Sequence, residues 1–339
     1  MRNGQIRVGI MGLGQIGRHL YHLALETDDI EIVAVADIGK PDIIEYLLNS
    51  DVREKRRCKL RDNYLINDKF HTRMLQLARP EEVPWDTMAV DCVVDATGRY
   101  RHRRDMEGHL RAGAKRVILA SLPADPVDRI VIPGLNQRQA EASDKMVSAG
   151  SATTNAFALL LQTLDEALGV ECASMTTVHA YSSDQSLQNY AHLDFRRSRS
   201  AAENIIPNSN ESARWVEMVL PKFAGKLSGY ALNVPVQRGS LLDVNCVMEN
   251  SGITIDQVNN AMRSAAARNP ELIGVTDDPI VSSDVIGCRQ SLLFDSRATL
   301  KAGKRIIKAL AWYESLGQAC RVLDVVRHYS KLDRNGGER

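Results

Sequence analysis

The chain has 339 residues and a net charge of +1, with 43 Lys and Arg against 42 Asp and Glu. That length favours two domains over one, and the near-zero charge gives no bulk electrostatic case for nucleic acid or a membrane surface. No apolar run is long enough to span a bilayer, the first seven residues lack a signal-peptide core, and the six cysteines (58, 92, 172, 246, 288 and 320) are scattered without a C-x-x-C pair. The expectation is a cytoplasmic protein with reduced thiols and no metal site.

Residues 6–11 read as a short apolar strand, Gly12-Leu13-Gly14-Gln15-Ile16-Gly17 as a glycine turn, 18–26 as a helix, and 30–36 as a second strand ending at Asp37. In such a turn the first glycine permits the tight bend. The second lets the backbone approach a pyrophosphate, and the third lets helix and strand pack closely. Gly12, Gly14, Gln15, Ile16 and Gly17 are therefore candidate cofactor contacts. Asp37 lies 20 residues beyond Gly17. A carboxylate there accepts hydrogen bonds from an adenosine ribose and repels a 2′-phosphate, so the expected cofactor is NAD rather than NADP. The competing reading is a domain that kept the turn for packing and lost the ligand.

Pro41 and Asp42 open a predicted helix over 41–48. Residues 53–68 are rich in charge and predict a hairpin with a solvated face. Asp91-Cys92-Val93-Val94-Asp95-Ala96-Thr97-Gly98 reads as a buried strand running into a turn, and 109–118 as helix, glycine stop and strand. This alternation predicts an α/β fold: a doubly wound, mostly parallel sheet with helices on both faces and a cofactor along its carboxyl edge.

A strand-like run ends at Val147 and a helix-like run begins at Ala156. Between them lies Ser148-Ala149-Gly150-Ser151-Ala152-Thr153-Thr154-Asn155. Small and hydroxyl residues in a strand-to-helix turn present N–H groups and hydroxyls at a helix N-terminus, which suits an anion or a developing oxyanion. The stretch resembles the Ser-Asn-Ala-Ser-Cys-Thr-Thr-Asn motif of the glyceraldehyde-3-phosphate dehydrogenase family. The family's nucleophilic cysteine falls on Ala152, which has no nucleophile, and a second cysteine frequent in the family falls on Ala156. The likeness runs in order along nearly the whole chain. It includes Asp95-Ala96-Thr97-Gly98, His109-Leu110-Arg111-Ala112-Gly113-Ala114-Lys115-Arg116-Val117, Ser121-Leu122-Pro123-Ala124 and Thr176-Thr177-Val178-His179-Ala180-Tyr181-Ser182-Ser183-Asp184-Gln185. It continues through the arginine-rich run 194–207, Gly225-Lys226-Leu227-Ser228-Gly229-Tyr230-Ala231-Leu232-Asn233-Val234-Pro235, Ser282-Ser283-Asp284, and 309–322.

The resemblance implies a Rossmann-type NAD-binding domain at 1–151 and an α+β catalytic-type and oligomerisation domain with a mostly antiparallel sheet at 152–318. A C-terminal helix at 319–339 would pack back on the first domain. It implies a homotetramer, with 194–207 closing a loop between subunits. It sets Thr97, Gly98 and Ser121 along the cofactor, and makes His179 the partner and base of the absent cysteine. It sets Ser151, Thr153, Ser182, Asp184, Arg197, Asn210, Glu211 and Asn233 at the positions that bind substrate and phosphate.

Several of these positions depart from the family pattern. Pro207-Asn208-Ser209-Asn210-Glu211 stands where the family has Pro-Thr-Ser-Thr-Gly, and Glu211 adds a like charge at an anion site. Asn233 replaces the arginine that neutralises the substrate phosphate. The 309–322 segment is one residue short, so the asparagine that holds the nicotinamide amide has no clear counterpart, and Ser315 is the nearest candidate. Residues from Lys331 onward read as a frayed polar tail.

The vacancy at Ala152 leaves three readings open. One is a protein that binds NAD without phosphorylating dehydrogenase activity, its small-molecule ligand unknown or a phosphorylated sugar. Another is a genuine dehydrogenase whose cysteine was replaced. The third is an NAD-dependent oxidoreductase of another substrate with His179 as base.

Overall fold

A computed structural model describes residues 4–50, 57–182 and 185–336. The chain divides into two compact units, Met1–Gly150 with Ala319–Arg339, and Ser151–Gln318.

The first unit runs β1 (Ile6–Met11), α1 (Gln15–Leu25), β2 (Ile30–Asp37), α2 (Pro41–Ser50), β3 (Lys59–Arg61), β4 (Tyr64–Ile66), β5 (His71–Gln76), β6 (Cys92–Asp95), α3 (Arg103–Arg111), β7 (Val117–Leu119), β8 (Arg129–Ile130) and β9 (Met146–Ser148). Its nine strands form one sheet in the order β3-β4-β5-β2-β1-β6-β7-β9-β8. Every pairing is parallel except β3 with β4 and β4 with β5. Strands β1, β2, β6 and β7 are buried along almost their whole length, as parallel strands covered on both faces must be. Helix α1 buries Gly17, Leu20, Tyr21 and Ala24, an i, i+3, i+4, i+7 stripe. A side chain at Gly9 would stand 2.5 Å from the ring of Trp85, which fills the core with Val93, Met106 and Val117.

The charged stretch forms its hairpin at β3 and β4. Asp62 and Asn63 both take left-handed backbone (φ 49° and 61°), as a two-residue turn between twisted strands demands. Residues 51–56, part of the same stretch, lie outside the described residues.

The second unit holds α4 (Ala152–Leu168), β10 (Val170–Ala180), β11 (Ile206–Ser209), α5 (Ser212–Val219), β12 (Leu227–Val234), β13 (Ser240–Met248), α6 (Ile255–Arg268), β14 (Ile273–Thr276), β15 (Leu292–Ala302) and β16 (Ile306–Tyr313). The sheet order is β11-β12-β10-β13-β16-β15-β14. It is mainly antiparallel, with β10 parallel to β12 and β14 parallel to β15. Helix α4 packs beside α5 and α6 and against the central strands. Its residues from Thr153 to Leu161 are all buried, which explains an apolar run with little amphipathic rhythm.

The last helix, α7 (Ser315–Gly336), starts before the expected 319 and runs past Lys331, and 337–339 lie outside the described residues. The expectation of a frayed tail from Lys331 is incorrect over 331–336, which are helical. Arg116, almost fully buried, pairs with Asp333 at 2.5 and 3.0 Å and lies over the ring of Tyr329, while Arg334 donates to the Gly4 carbonyl at 2.6 Å. A buried guanidinium needs its carboxylate, and that requirement holds the polar last turns in place.

Candidate functional site

The glycine turn separates into positions that must be glycine for packing and one that faces open space. A Cβ on Gly12 (φ +90°) would lie 2.8 Å from the Thr97 backbone nitrogen, and one on Gly17 would lie 2.0 Å from the Gly12 carbonyl oxygen. A Cβ on Gly14 would meet nothing within 4 Å. Gly14 and Gln15 are exposed, and Gln15 and Ile16 begin α1, whose first N–H groups have no intrahelical acceptor. This is an open, N–H-rich surface of the kind that takes a pyrophosphate. Both carboxylate oxygens of Asp37 are fixed, Oδ2 by the Leu13 N–H and Oδ1 by the Gly39 N–H, each at 2.7 Å.

The neighbouring turn is held by a buried polar relay. The Thr97 N–H and hydroxyl donate to Asp95 Oδ1 at 2.9 and 2.6 Å, and Asp95 Oδ2 meets His109 Nε2 at 3.2 Å. Trp85 Nε1–H donates to His109 Nδ1 at 3.0 Å. Because Trp donates only, Nδ1 is the acceptor and the neutral imidazole carries its proton on Nε2, facing Asp95. Gly98 (φ +65°) follows, exposed and without neighbours for a Cβ. Ser121 lies just beyond β7, its carbonyl accepting the Ser148 hydroxyl at 2.7 Å. The fold thus brings Gly12–Gly17, Asp37, Thr97, Gly98 and Ser121 to the carboxyl edge of one parallel sheet.

In the second unit the strand-to-helix turn is built around Ser151. Its Oγ caps α4 by accepting the Thr154 N–H at 3.1 Å, and it shares a 2.8 Å bond with the Thr154 hydroxyl, which donates to Ser212 Oγ at 3.0 Å. Ala152, half-buried, is the first residue of the helix. Thr153 and Thr177 both bond the hydroxyl of Tyr313, at 2.8 and 2.5 Å. Tyr313 is fully buried and burial raises its pKa, so it stays a neutral phenol. It ties the residue after Ala152 to the strand position two before His179, on the same face of β10. His179 Nδ1 bonds the Ala180 carbonyl, a bond that places the proton on Nδ1 and leaves Nε2 the basic nitrogen. Its ring sits edge-on to Tyr313 at 6.1 Å.

At the expected phosphate positions the side chains bond neighbouring protein groups. Asn233 pairs with His179 in register across β10 and β12, and its Nδ2 donates to Gln185 Oε1 at 2.8 Å. The Ser182 N–H donates to the same oxygen at 3.2 Å. Arg197 uses Nε and Nη2 on Asn208 Oδ1, at 3.2 and 3.0 Å. Asn210 Oδ1 accepts the Ser212 N–H at 2.8 Å, and Glu211 stands exposed at the N-terminus of α5. Ser315 opens α7 and donates to Glu314 Oε1 at 3.0 Å. Asp184 lies outside the described residues.

Sequence reasoning left Gln185, Tyr313 and the Asp95–His109–Trp85 relay without roles. Gln185, Tyr313, Asp95 and His109 all stand in the quoted motifs, but nothing local pairs them. A cleft of about 630 Å³ on the first unit, bordered by Arg7, Tyr64, His71 and Arg73, contains none of the candidate site residues. Among the described residues no group of three or more His, Cys, Asp and Glu is arranged to hold a metal ion, and no helix is long and apolar enough to cross a membrane.

A glycine turn at the carboxyl edge of a doubly wound sheet, followed in the chain by a mainly antiparallel unit, defines a dinucleotide-binding class. Residues 6–103 match the family model described as glyceraldehyde 3-phosphate dehydrogenase, NAD binding domain, and 151–315 match that described as glyceraldehyde 3-phosphate dehydrogenase, C-terminal domain. The glyceraldehyde-3-phosphate dehydrogenase of Streptomyces coelicolor is 38% identical over 329 residues, 94% of this chain and 97% of its own length. That of Kitasatospora aureofaciens is 40% identical over 330 residues, 95% and 98% of the two chains, and that of Borreliella burgdorferi 35% over 338 residues, 96% and 100%. The chain belongs to the glyceraldehyde-3-phosphate dehydrogenase family, and its cofactor is NAD.

Proposed function

We propose that this protein binds NAD and lacks phosphorylating glyceraldehyde-3-phosphate dehydrogenase activity. The observation that carries the reading is Ala152 as the first residue of α4. In the family reaction a thiolate attacks the aldehyde carbon, hydride leaves the resulting thiohemiacetal, and phosphate releases the acyl group. NAD supplies the hydride acceptor. A methyl group forms no bond to the aldehyde, so none of the later steps begins.

Four of the six thiols are kept protonated by burial. Burial pushes Cys58 up to about 11 and Cys92 and Cys246 up to about 12, and raises Cys288 as well. These are inert thiols at neutral pH. Around the vacancy the anion chemistry is also weakened. Asn233 offers no charge, and charge-assisted bonds are about twice as strong as neutral ones. Glu211 puts a carboxylate at the N-terminus of α5, where a helix dipole would otherwise favour phosphate.

In this reading NAD lies on the Gly12–Gly17 turn, with Asp37 on the adenosine ribose and Thr97, Gly98 and Ser121 beside it. The protein is cytoplasmic and a homotetramer. Calorimetric titration tests the cofactor assignment. NAD should bind at least about tenfold more tightly than NADP, because Asp37 repels a 2′-phosphate; equal affinities would count against it.

A second reading is favoured by the His179 tautomer, which leaves a basic nitrogen on Nε2. It is an oxidoreductase that takes a proton from an alcohol while NAD accepts the hydride. That reading requires NADH formation from an alcohol and its loss in His179→Ala.

A further inference from the structure

Gln185 and Asn233 are two buried primary amides, each only 7% exposed, that face each other through one hydrogen bond. Two such amides have the atoms to close a ring with two N–H···O bonds. Here one forms, from Asn233 Nδ2 to Gln185 Oε1 at 2.8 Å. The orientation of Gln185 is fixed independently, because the Ser182 N–H donates to Oε1 at 3.2 Å and a backbone N–H bonds only an acceptor. Gln185 Nε2 and Asn233 Oδ1 are left without a hydrogen-bond partner among the described residues. Buried polar atoms are rarely left so, and each marks a place where something else supplies the bond.

What is left over is one amide donor and one amide acceptor, with no net charge. A phosphate ester offers only acceptors and two negative charges. It would satisfy Nε2, set its oxygens against Oδ1, and lose its hydration without a cation in return. A hydroxyl both donates and accepts, so its chemistry matches the donor and the acceptor that the pair leaves over. The pair also lies beside His179, since His179 and Asn233 are register partners on neighbouring parallel strands.

We infer that the Gln185–Asn233 pair is a recognition subsite for an uncharged hydroxyl of a small polyhydroxy ligand, such as an unphosphorylated triose. This rests on the reading that the chain has given up the phosphate chemistry of its family, and it names what replaces the phosphate.

Ligand-observed NMR with D-glyceraldehyde and with glyceraldehyde 3-phosphate, on the full-length protein, tests it. NAD titration of every sample serves as the control. D-glyceraldehyde should bind, and the phosphate ester should bind no more tightly. Asn233→Arg should raise affinity for the ester by about tenfold or more, the gain of one charge-assisted contact. Asn233→Leu and Gln185→Leu, which keep side-chain bulk, should each weaken D-glyceraldehyde by about tenfold or more, as loss of a buried hydroxyl contact does. The inference is overturned if the parent prefers the phosphate ester by that margin, if both leucine variants bind D-glyceraldehyde as the parent does, or if neither triose binds. In the last case a trapped water completes the pair. NAD binding with any of those results sinks the inference alone, whereas absence of NAD binding sinks the functional reading itself.

Discussion

Gly14 and Gly17 stand three positions apart in one turn and tolerate substitution differently. Gly17→Ala drives a methyl to 2.0 Å from the Gly12 carbonyl oxygen. Backbone must move, and the expected loss is about 3 kcal/mol of stability, at the upper end of the usual cost of overpacking. Gly14→Ala places its methyl in open space at φ −65°, so the fold keeps its stability. The same methyl occupies the surface on which the pyrophosphate is expected to rest, and NAD affinity should fall about tenfold or more. Thermal unfolding and NAD titration of the two variants check this. A Gly14→Ala protein with parental NAD affinity would move the cofactor away from the turn. At the vacancy the residue-scale consequence is simpler. In the proposed reading Ala152 leaves the site without its nucleophile, while Ser151, Thr153, Thr154 and Asn155 around it keep hydrogen bonds that do not depend on a thiol.

Helix α7 is anchored to the first unit by charge as well as by its apolar stripe. Arg327 grips Asp29 with Nε at 2.6 Å and Nη2 at 3.2 Å, and this pair holds the Asp29 carboxyl down to about 2. The folded value lies below the ordinary carboxylate value, so the stabilisation is complete above about pH 4 and is lost as pH falls through about 2. Asp29 is nearly half exposed, so after solvent screening the pair contributes about 1 kcal/mol. Urea unfolding of Asp29→Asn against the parent should show that deficit at pH 7, shrinking as pH is lowered from 4 toward 2. A deficit independent of pH would mean packing rather than charge.

Legibility in the sequence follows how local each element's cause is. The glycine turn, the strand ending at Asp37 and the small-residue turn before α4 are local, and their residue types show it. The Asp62-Asn63 turn is local too. The polar last turns of α7 are not, because Arg116 stands 217 residues from Asp333. Likewise Thr153 meets Tyr313 across 160 residues, Gln185 meets Asn233 across 48, and Asp95 meets His109 across 14. Family likeness marked most of these residues, but only the folded chain pairs them.

At the scale of the whole molecule, the segment from 187 to 205 presents Leu193 fully exposed and Phe195 96% exposed, with Leu187 and Ile205 also more than half exposed. Four large apolar side chains this exposed on one segment are surface that a subunit contact would cover, and the proposed homotetramer would bury them. Light scattering should give four times the chain mass, and Leu193→Glu with Phe195→Glu should lower it; a monomeric parent would sink the assembly proposal.

The central claim is a family scaffold that binds NAD after giving up the covalent and phosphate chemistry together. The most direct test follows NADH absorbance for the parent and for Ala152→Cys, supplied with NAD, glyceraldehyde 3-phosphate and phosphate. With Asn233 and Glu211 still in place, the account predicts NAD binding by both proteins and phosphate-dependent turnover by neither. Steady phosphate-dependent NADH formation by the cysteine variant would contradict it, since the pocket would then be intact and only the nucleophile withdrawn.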